Sequence, residues 1–212
     1  MPQRFRFSSR WFALPVLLLP LIAADAQVQP EPVRRLITQP IDNNKRVTLA
    51  GNTRPEANST NDRGRVPDSL PMDHLQLTLR PPEEKQAELD RFLNEVQDPQ
   101  SPNYHKWLTP QEFKKEFSLA PQDIEAISGW LKSEGFQVNA INPTAIDFSG
   151  TAGQVDHAFK TEIHYLDVKG VKHIANIRDP QIPATLAPAV SGIVSLNDFK
   201  PRPLGGTRRP RQ

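Results

Sequence analysis

Residues 144–168, TAIDFSGTAGQVDHAFKTEIHYLDV, decide the fold, because they encode a strand, a helix and a second strand in succession. Alternate positions from Thr144 to Phe148 are apolar or β-branched, which is the period of a half-buried strand. Thr151 stands three residues before Gln154, a spacing that caps free amides at the start of a helix. The apolar residues of one helical face follow: Ala152, Val155, Ala158 and Phe159. A β-rich run at 162–168 closes the unit, so we predict a helix packed on a sheet.

The turn Ser149-Gly150-Thr151 in this stretch resembles a serine nucleophile flanked by small residues. A catalytic serine needs a base beside it and an acid that orients the base. The helix cap already explains the polar residues at the turn. We therefore interpret Ser149 as structural.

Upstream, Leu75, Leu77 and Leu79 alternate with polar residues and predict a strand. Pro81-Pro82 then favours the start of a helix. That helix carries an apolar stripe, which we expect to pack on the sheet: Leu89, Phe92, Leu93 and Val96. Residues 53–72 are rich in turn-forming residues and are predicted as a loop.

Two more helices are predicted before the central stretch, one capped by Thr109–Glu112 and a longer one over Pro121–Gly135. A strand follows at 136–141. Downstream, Lys169-Gly170 has the composition of a two-residue hairpin turn into a strand at 171–175. The resulting order predicts an α+β, ferredoxin-like antiparallel sheet with two main helices on one face and a helical insertion.

The ends of the chain differ from this core. Residues 1–26 have a basic start, a short apolar run and small residues at Ala24 and Ala26, so we predict a signal peptide with cleavage there, the alternative being a membrane anchor. Export to the periplasm or the extracellular space follows from the signal peptide. Residues 27–72 are predicted to be loosely ordered, with a short strand near 47–50. The core is placed at 73–199 and a basic tail at 200–212.

The net charge of +2 conceals an acidic core. Residues 73–199 contain 11 Lys and Arg against 18 Asp and Glu, a net charge of −7, whereas the tail from Lys200 carries +5. The basic tail alone is compatible with nucleic-acid binding. An exported chain with an acidic core and no interleaved aromatic residues argues against it, so we predict no nucleic-acid partner.

No catalytic or metal-binding constellation is found among the residues. The chain has no cysteine, which excludes disulfides, thiol nucleophiles and thiolate metal sites. The five histidines do not have the spacing of a metal-binding helix: His74, His105, His157, His164 and His173. The carboxylate pairs at Glu83/Glu84 and Glu88/Asp90 are interpreted as a solvated helix face. We therefore predict no metal site and no cofactor.

Several motifs nevertheless resemble one family. The most specific is DPQSPNYHKWLTP at residues 98–110, and shorter matches occur in FSGTA at 148–152, IH at 163–164 and HIAN at 173–176. The motif residues are Ser101, Pro102, Tyr104, His105, Trp107, Leu108, Thr109, Pro110, Phe148, Ser149, Gly150, Thr151, His164, His173 and Asn176. Together they resemble the activation prodomain of sedolisin/kumamolisin-type serine-carboxyl peptidases. Arg54 and Ile174 depart from the family pattern, which often has histidine and an aromatic residue there.

The resemblance implies a fold like that of subtilisin propeptides, in a domain that inhibits a secreted peptidase and assists its folding until acid-triggered cleavage. It implies one partner, the sedolisin-type catalytic domain, in cis or in trans. The catalytic Glu, Asp and Ser and the calcium site would belong to that domain, so this chain is not expected to be an enzyme. The tail resembles the processing linker, whose residues here are Lys200, Pro201, Arg202, Pro203, Leu204, Gly205, Gly206 and Thr207.

Two further points stay open at this stage. The same fold could serve as a free-standing exported protease inhibitor or another binding module. Acid sensitivity could arise if core carboxylates pair with cations of the catalytic domain, because such pairs are lost as the pH falls through the lowered carboxyl pKa values.

Overall fold

A computed structural model describes residues 33–200. In chain order, its elements are β1 (Arg46–Thr48), β2 (Asp62–Arg65), β3 (Pro71–Leu79), α1 (Glu83–Glu95), α2 (Pro110–Phe117), α3 (Pro121–Ser133), β4 (Gln137–Ile141), β5 (Ala145–Thr151), α4 (Ala152–Phe159), β6 (Ile163–Val168), β7 (Val171–Asn176), β8 (Gln181–Pro183), a 3₁₀ turn (Ala184–Leu186) and β9 (Val190–Val194).

The main sheet is antiparallel and has the strand order β4-β5-β3-β9. Helices α3 and α4 cover the same face of it. The ring of Trp130 in α3 meets the ring of Phe159 in α4 edge-on at 5.5 Å, and Phe159 in turn lies 6.0 Å from Phe148 of β5. With α3 before β4 and α4 after β5, this arrangement is the ferredoxin-like plan, and the predicted fold class is confirmed.

Local sequence signals fix the starts of α2 and α4 and the hairpin turn between β6 and β7. Thr151 and Gln154 form the capping box at the start of α4, and Thr109 and Glu112 form another at α2. Lys169 and Gly170 both have positive φ, 55° and 80°, as the hairpin between β6 and β7 requires. These three predictions are confirmed, because each depends on contacts between residues close together in the chain.

The strand that ends the central stretch lies outside the main sheet. β6 pairs with β7 on one edge and with β2 on the other, forming a second antiparallel sheet. The fourth strand of the main sheet is β9, which pairs antiparallel with β3. β1 and β8 form a separate antiparallel pair.

The prediction that the helix after Pro82 packs on the sheet is wrong. No residue of α1 is buried, Leu93 is 42% exposed, and the helix packs beside α2. Only Val96, just after the helix, is completely buried. The sheet face is already occupied by α3 and α4, so the apolar stripe of α1 serves the small interface within the α1–α2 insertion.

The segment before β3 belongs to the folded domain. Ile37, Leu49 and Val66 are buried in the core, with exposures of 3%, 8% and 3%. β1 overlaps the strand predicted near 47–50, whereas β2 lies in a region predicted as loop. The loop prediction missed β2 because its sequence, DRGR, contains no apolar residue.

Other predictions fall on residues that the structure does not describe. The signal peptide with Ala24 and Ala26 and the tail from residue 201 lie outside the described residues. Within residues 33–200, the helices are all too short or too polar to cross a lipid bilayer.

Candidate functional site

The motif at 101–110 forms the connection between α1 and α2. The hydroxyl of Ser101 accepts a hydrogen bond from the main-chain amide of Asn103 at 3.1 Å, and the side chain of Asn103 donates to Glu95 at 2.7 Å. The amide of His105, a residue with a φ of 57°, donates to the carbonyl of Val96 at 3.0 Å. These bonds fold the connection back onto the end of α1.

This connection presents aromatic side chains to solvent. Trp107 is 66% exposed, and Tyr104, 39% exposed, stacks on the ring of His105 at 3.8 Å. Leu108 is half-buried and Pro102 is exposed. Thr109 caps α2 and Pro110 occupies its first turn. The motif is therefore a hydrogen-bonded turn that exposes two aromatic rings.

Ser149 lies on the face of the main sheet opposite α3 and α4. Its hydroxyl accepts hydrogen bonds from the main-chain amide of His74 at 3.1 Å and from the side chain of Asn139 at 2.8 Å. The imidazole of His74 lies 3.1 Å from Asp147. Since amide donors hold the hydroxyl and the imidazole is bound to Asp147, the geometry supports a structural role for Ser149. The hydrogen bond from Asn139, followed by the contact with His74, lowers the pKa of Asp147.

The neighbouring motif residues serve packing and capping. Phe148 is completely buried and meets the ring of Phe136 edge-on at 5.0 Å. A Cβ atom on Gly150 would lie 2.5 Å from that ring and 2.6 Å from the side chain of Gln154. Position 150 therefore has room only for glycine. Thr151 completes the turn through the cap of α4.

His164 stands between two carboxylates in the second sheet. Its Nδ1 lies 2.8 Å from Asp62 and its Nε2 lies 3.2 Å from Glu162, which also accepts from Arg178. The contact with His164 is the main reason that the pKa of Glu162 is lowered. The pKa of Asp62 is lowered first by the amide of Gly64 and then by His164. Both ring nitrogens of His164 therefore face carboxylate oxygens.

Asn176 connects β7 to the loop that follows β1. The side chain is completely buried, and its amide nitrogen lies within 3.2 Å of oxygens of Asn52, Thr53 and Arg178. Asp179 binds the same loop through Thr53 at 2.7 Å and the amide of Gly51 at 3.0 Å. Burial raises the pKa of Asp179, but the hydrogen bonds from Thr53 and the loop amides lower it overall.

His173 of β7 contacts the last residues of the described chain. Its ring stacks on Phe199 at 3.9 Å and its Nδ1 lies 3.0 Å from Asp198. The guanidinium of Arg54 lies over the ring of Phe199, 4.6 Å from the ring centre. Sequence analysis did not identify this cluster, because its members are distant in the chain and carry no local signal. Lys200 is the last described residue, and residues 201–207 of the predicted linker lie outside the described residues.

One buried carboxylate remains to be considered as a possible chemical group. Asp123, at the start of α3, is fully buried and accepts hydrogen bonds from the amides of Leu36 and Ile37 at 2.8 and 2.9 Å. It anchors the segment before β1, a role that sequence analysis missed. Within residues 33–200, no three histidine or carboxylate side chains are grouped so that they could hold a metal ion.

Comparison with known proteins gives this geometry a family context. The family model described as pro-kumamolisin, activation domain, matches residues 58–199. Xanthomonalisin of Xanthomonas sp. (strain T-22) is 30% identical over 124 residues, which cover 58% of this chain and 14% of that protein. Sedolisin of Pseudomonas sp. (strain 101) is 25% identical over 127 residues, covering 59% of this chain and 21% of that protein. Tripeptidyl-peptidase 1 of Canis lupus familiaris is 27% identical over 143 residues, covering 61% and 24%.

The chain thus matches less than a quarter of the length of each of these relatives. The matches confirm the resemblance to sedolisin/kumamolisin-type prodomains, and the matched region is an activation domain. Because the family model covers more than half of the sequence, the chain belongs to the pro-kumamolisin activation domain family.

Proposed function

We propose that this chain is the propeptide of a secreted, sedolisin-type acid serine peptidase. It inhibits the catalytic domain and assists its folding until acid-triggered cleavage separates the two. The observation that carries the proposal is the activation-domain match over residues 58–199. That match ends at Phe199, the residue whose ring is held between Arg54 and His173.

The segment after Phe199 is the proposed processing linker, Lys200–Thr207. Its proline and glycine residues suit an extended segment that a peptidase can reach. In this proposal, the linker lies across the active site of the catalytic domain, in cis or in trans, and is cut there.

In this proposal, the chain binds the peptidase domain and contributes no catalytic residue to it. The catalytic Glu, Asp and Ser and the calcium site belong to the peptidase domain, and this chain needs no cofactor. The predicted signal peptide directs export to the periplasm or beyond, and we propose no stable membrane span once it is removed. The acidic charge of residues 73–199 favours a protein surface with basic patches over a nucleic acid.

Acid release has a physical basis in the domain's own carboxylates. The pKa values of Glu162, Asp62 and Asp147 are lowered in the folded protein by hydrogen bonds and, in part, by histidines. A lowered folded-state pKa stabilises the fold above the unfolded-state pKa, and that stabilisation is lost as the pH falls through the folded-state value. Acid therefore weakens the domain, and with it the surface that the peptidase binds.

The test uses the chain without its predicted signal peptide, residues 27–212, together with mature sedolisin of Pseudomonas sp. (strain 101). Binding is measured at pH 7 and pH 4, together with hydrolysis of a reporter peptide over time at pH 4. We expect tight binding at pH 7, weaker binding at pH 4, and a lag in hydrolysis that ends when the chain is cut within Lys200–Thr207. Mass spectrometry of the products locates the cut.

A peptidase from an unrelated family is the specificity control and should not be inhibited. Stable inhibition without any cut in the linker would instead support the alternative, a free-standing exported inhibitor. Absence of binding to any mature sedolisin-type peptidase, at either pH, would contradict the proposed function.

A further inference from the structure

The ring of Phe199 is held between two side chains from distant parts of the domain. His173 of β7 stacks on one face at 3.9 Å with an interplanar angle of 17°. The guanidinium of Arg54, in the loop between β1 and β2, lies 4.6 Å from the centre of the ring. Stacking and cation–π contacts of this kind are favourable when the cation is held in place.

Both partners of the ring are themselves fixed by carboxylates. Arg54 makes a two-pronged contact with Glu56, with distances of 3.1 and 3.0 Å. His173 is held by Asp198, whose carboxylate also accepts from the amide of Ile174 at 3.1 Å. The cluster is therefore pre-organised, and the ring does not depend on flexible side chains finding it.

The main chain beside the ring is bound to the edge of β7. Asn197 bridges Ala175, and the amide of Asp198 donates to the carbonyl of Ile174 at 3.2 Å. Phe199 is only half-buried and borders an open groove of about 680 Å³ together with Lys169 and Lys200. Because the ring adds little to the main core, its contacts serve chiefly to hold this end of the chain.

We propose that Arg54, His173 and Phe199 form a clamp that fixes where the linker leaves the domain, and so determines which linker bond a bound peptidase cuts. The clamp residues are positioning residues, since the bond that breaks lies beyond them. This inference rests on the proposed function for its cleavage step alone. The clamp itself is a property of the isolated chain.

The effect of opening the clamp follows from chain geometry. The next side chain that is almost completely buried upstream of Phe199 is Leu196, at 1% exposure. If release of Phe199 also breaks the contacts of Asn197 and Asp198 with β7, the fixed point retreats by three residues, which adds about 10 Å of extended chain. A peptidase active site at a fixed distance from the domain could then reach any of about three consecutive peptide bonds of the linker instead of one.

The test compares wild type with Phe199→Ala, Phe199→Tyr and Tyr165→Ala, all as the exported form of the full chain. Tyr165 is a matched control, because it is a 41% exposed aromatic residue of the adjacent strand β6, outside the clamp. The first measurement is hydrogen exchange of the amides at 197–199. We expect exchange about tenfold faster in Phe199→Ala, as loss of a stacked, cation-bound ring implies. Phe199→Tyr and Tyr165→Ala should match wild type.

The second measurement is the distribution of cuts made by mature sedolisin of Pseudomonas sp. (strain 101) at pH 4. We expect one dominant bond in wild type, Phe199→Tyr and Tyr165→Ala, and cuts spread over several bonds in Phe199→Ala. The midpoint of thermal unfolding should be similar in all four proteins, which separates positioning from general destabilisation.

Unchanged exchange at 197–199 in Phe199→Ala would overturn the clamp. An unchanged cut distribution in a variant whose exchange is faster would overturn its role in cleavage. If sedolisin leaves every protein uncut, wild type included, the result counts against the proposed function, and the exchange measurement still decides whether the clamp exists.

Discussion

Replacing Asp123 by alanine is expected to lower the free energy of unfolding by about 2–4 kcal/mol. The carboxylate accepts two amide hydrogen bonds, from Leu36 and Ile37, and has no exposed surface. Hydrogen bonds to a charged acceptor contribute about 1.5–3 kcal/mol each, so the pair sets an upper limit near 6 kcal/mol. The amide of Leu36 is only partly buried, and water can reach it once the segment detaches. The expected loss is therefore smaller than this limit.

Urea unfolding followed by circular dichroism measures this loss. Asp156→Ala is the control, because Asp156 makes a surface contact with Arg65 that is expected to contribute less than about 1 kcal/mol. Asp123→Asn should fall between wild type and Asp123→Ala, since the amide oxygen can accept one bond while its NH₂ group faces the other donor. A loss below about 0.5 kcal/mol in Asp123→Ala, or unchanged hydrogen exchange at Leu36 and Ile37, would refute the reasoning.

Three further outcomes test other parts of the structure. The free energy of unfolding should fall below about pH 5, and Glu162→Gln should flatten that fall, because the lowered pKa of Glu162 stabilises the fold only above its unfolded-state pKa. Equal pH profiles in urea titrations would contradict this. Gly150→Ala should cost about 1–3 kcal/mol, since the new Cβ would lie 2.5 Å from Phe136; an unchanged unfolding midpoint would disagree. Trp107→Ala should change stability by less than about 0.5 kcal/mol, because the ring is 66% exposed. A larger loss in calorimetry would show that the ring packs inward.

The sequence was most informative where structure depends on neighbours in the chain. Thr151 and Gln154 lie one helical turn apart, so their capping box could be recognised without knowing the fold. The same is true of the hairpin turn at Lys169-Gly170. The order of such elements then limited the topology to the ferredoxin-like plan that the main sheet has.

Periodicity was less informative about what each element contacts. The stripe from Leu89 to Val96 correctly indicated a helix with an apolar side. It carried no information about which surface would receive that side, and the sheet face went to α3 and α4. The strand β6 shows the same limit, since its alternation was clear but its pairing with β2 depended on a segment that has no apolar residue.

The candidate site was likewise predictable from the sequence only in part. The motif at 101–110 could be recognised as a string of letters, whereas its exposed rings at Tyr104 and Trp107 depend on a turn closed by Asn103 and His105. The clamp could not be found in the sequence at all. Arg54, His173 and Phe199 come from three separate segments and meet only after both sheets have formed.

Residues 33–72 show why a composition rich in turn-forming residues is a poor guide to order in this domain. Four apolar side chains, Ile37, Leu49, Val66 and Met72, reach the core, and carboxylates hold the intervening backbone by accepting from its amides. Such a segment has the composition of a loop and the contacts of a folded element. It also depends on charge more than the main sheet does. Asp179, with its lowered pKa, binds the loop that carries Arg54, so acid should loosen this loop before it affects the apolar core. The clamp on Phe199 would then lose one of its two sides under the conditions in which the linker is proposed to be cut.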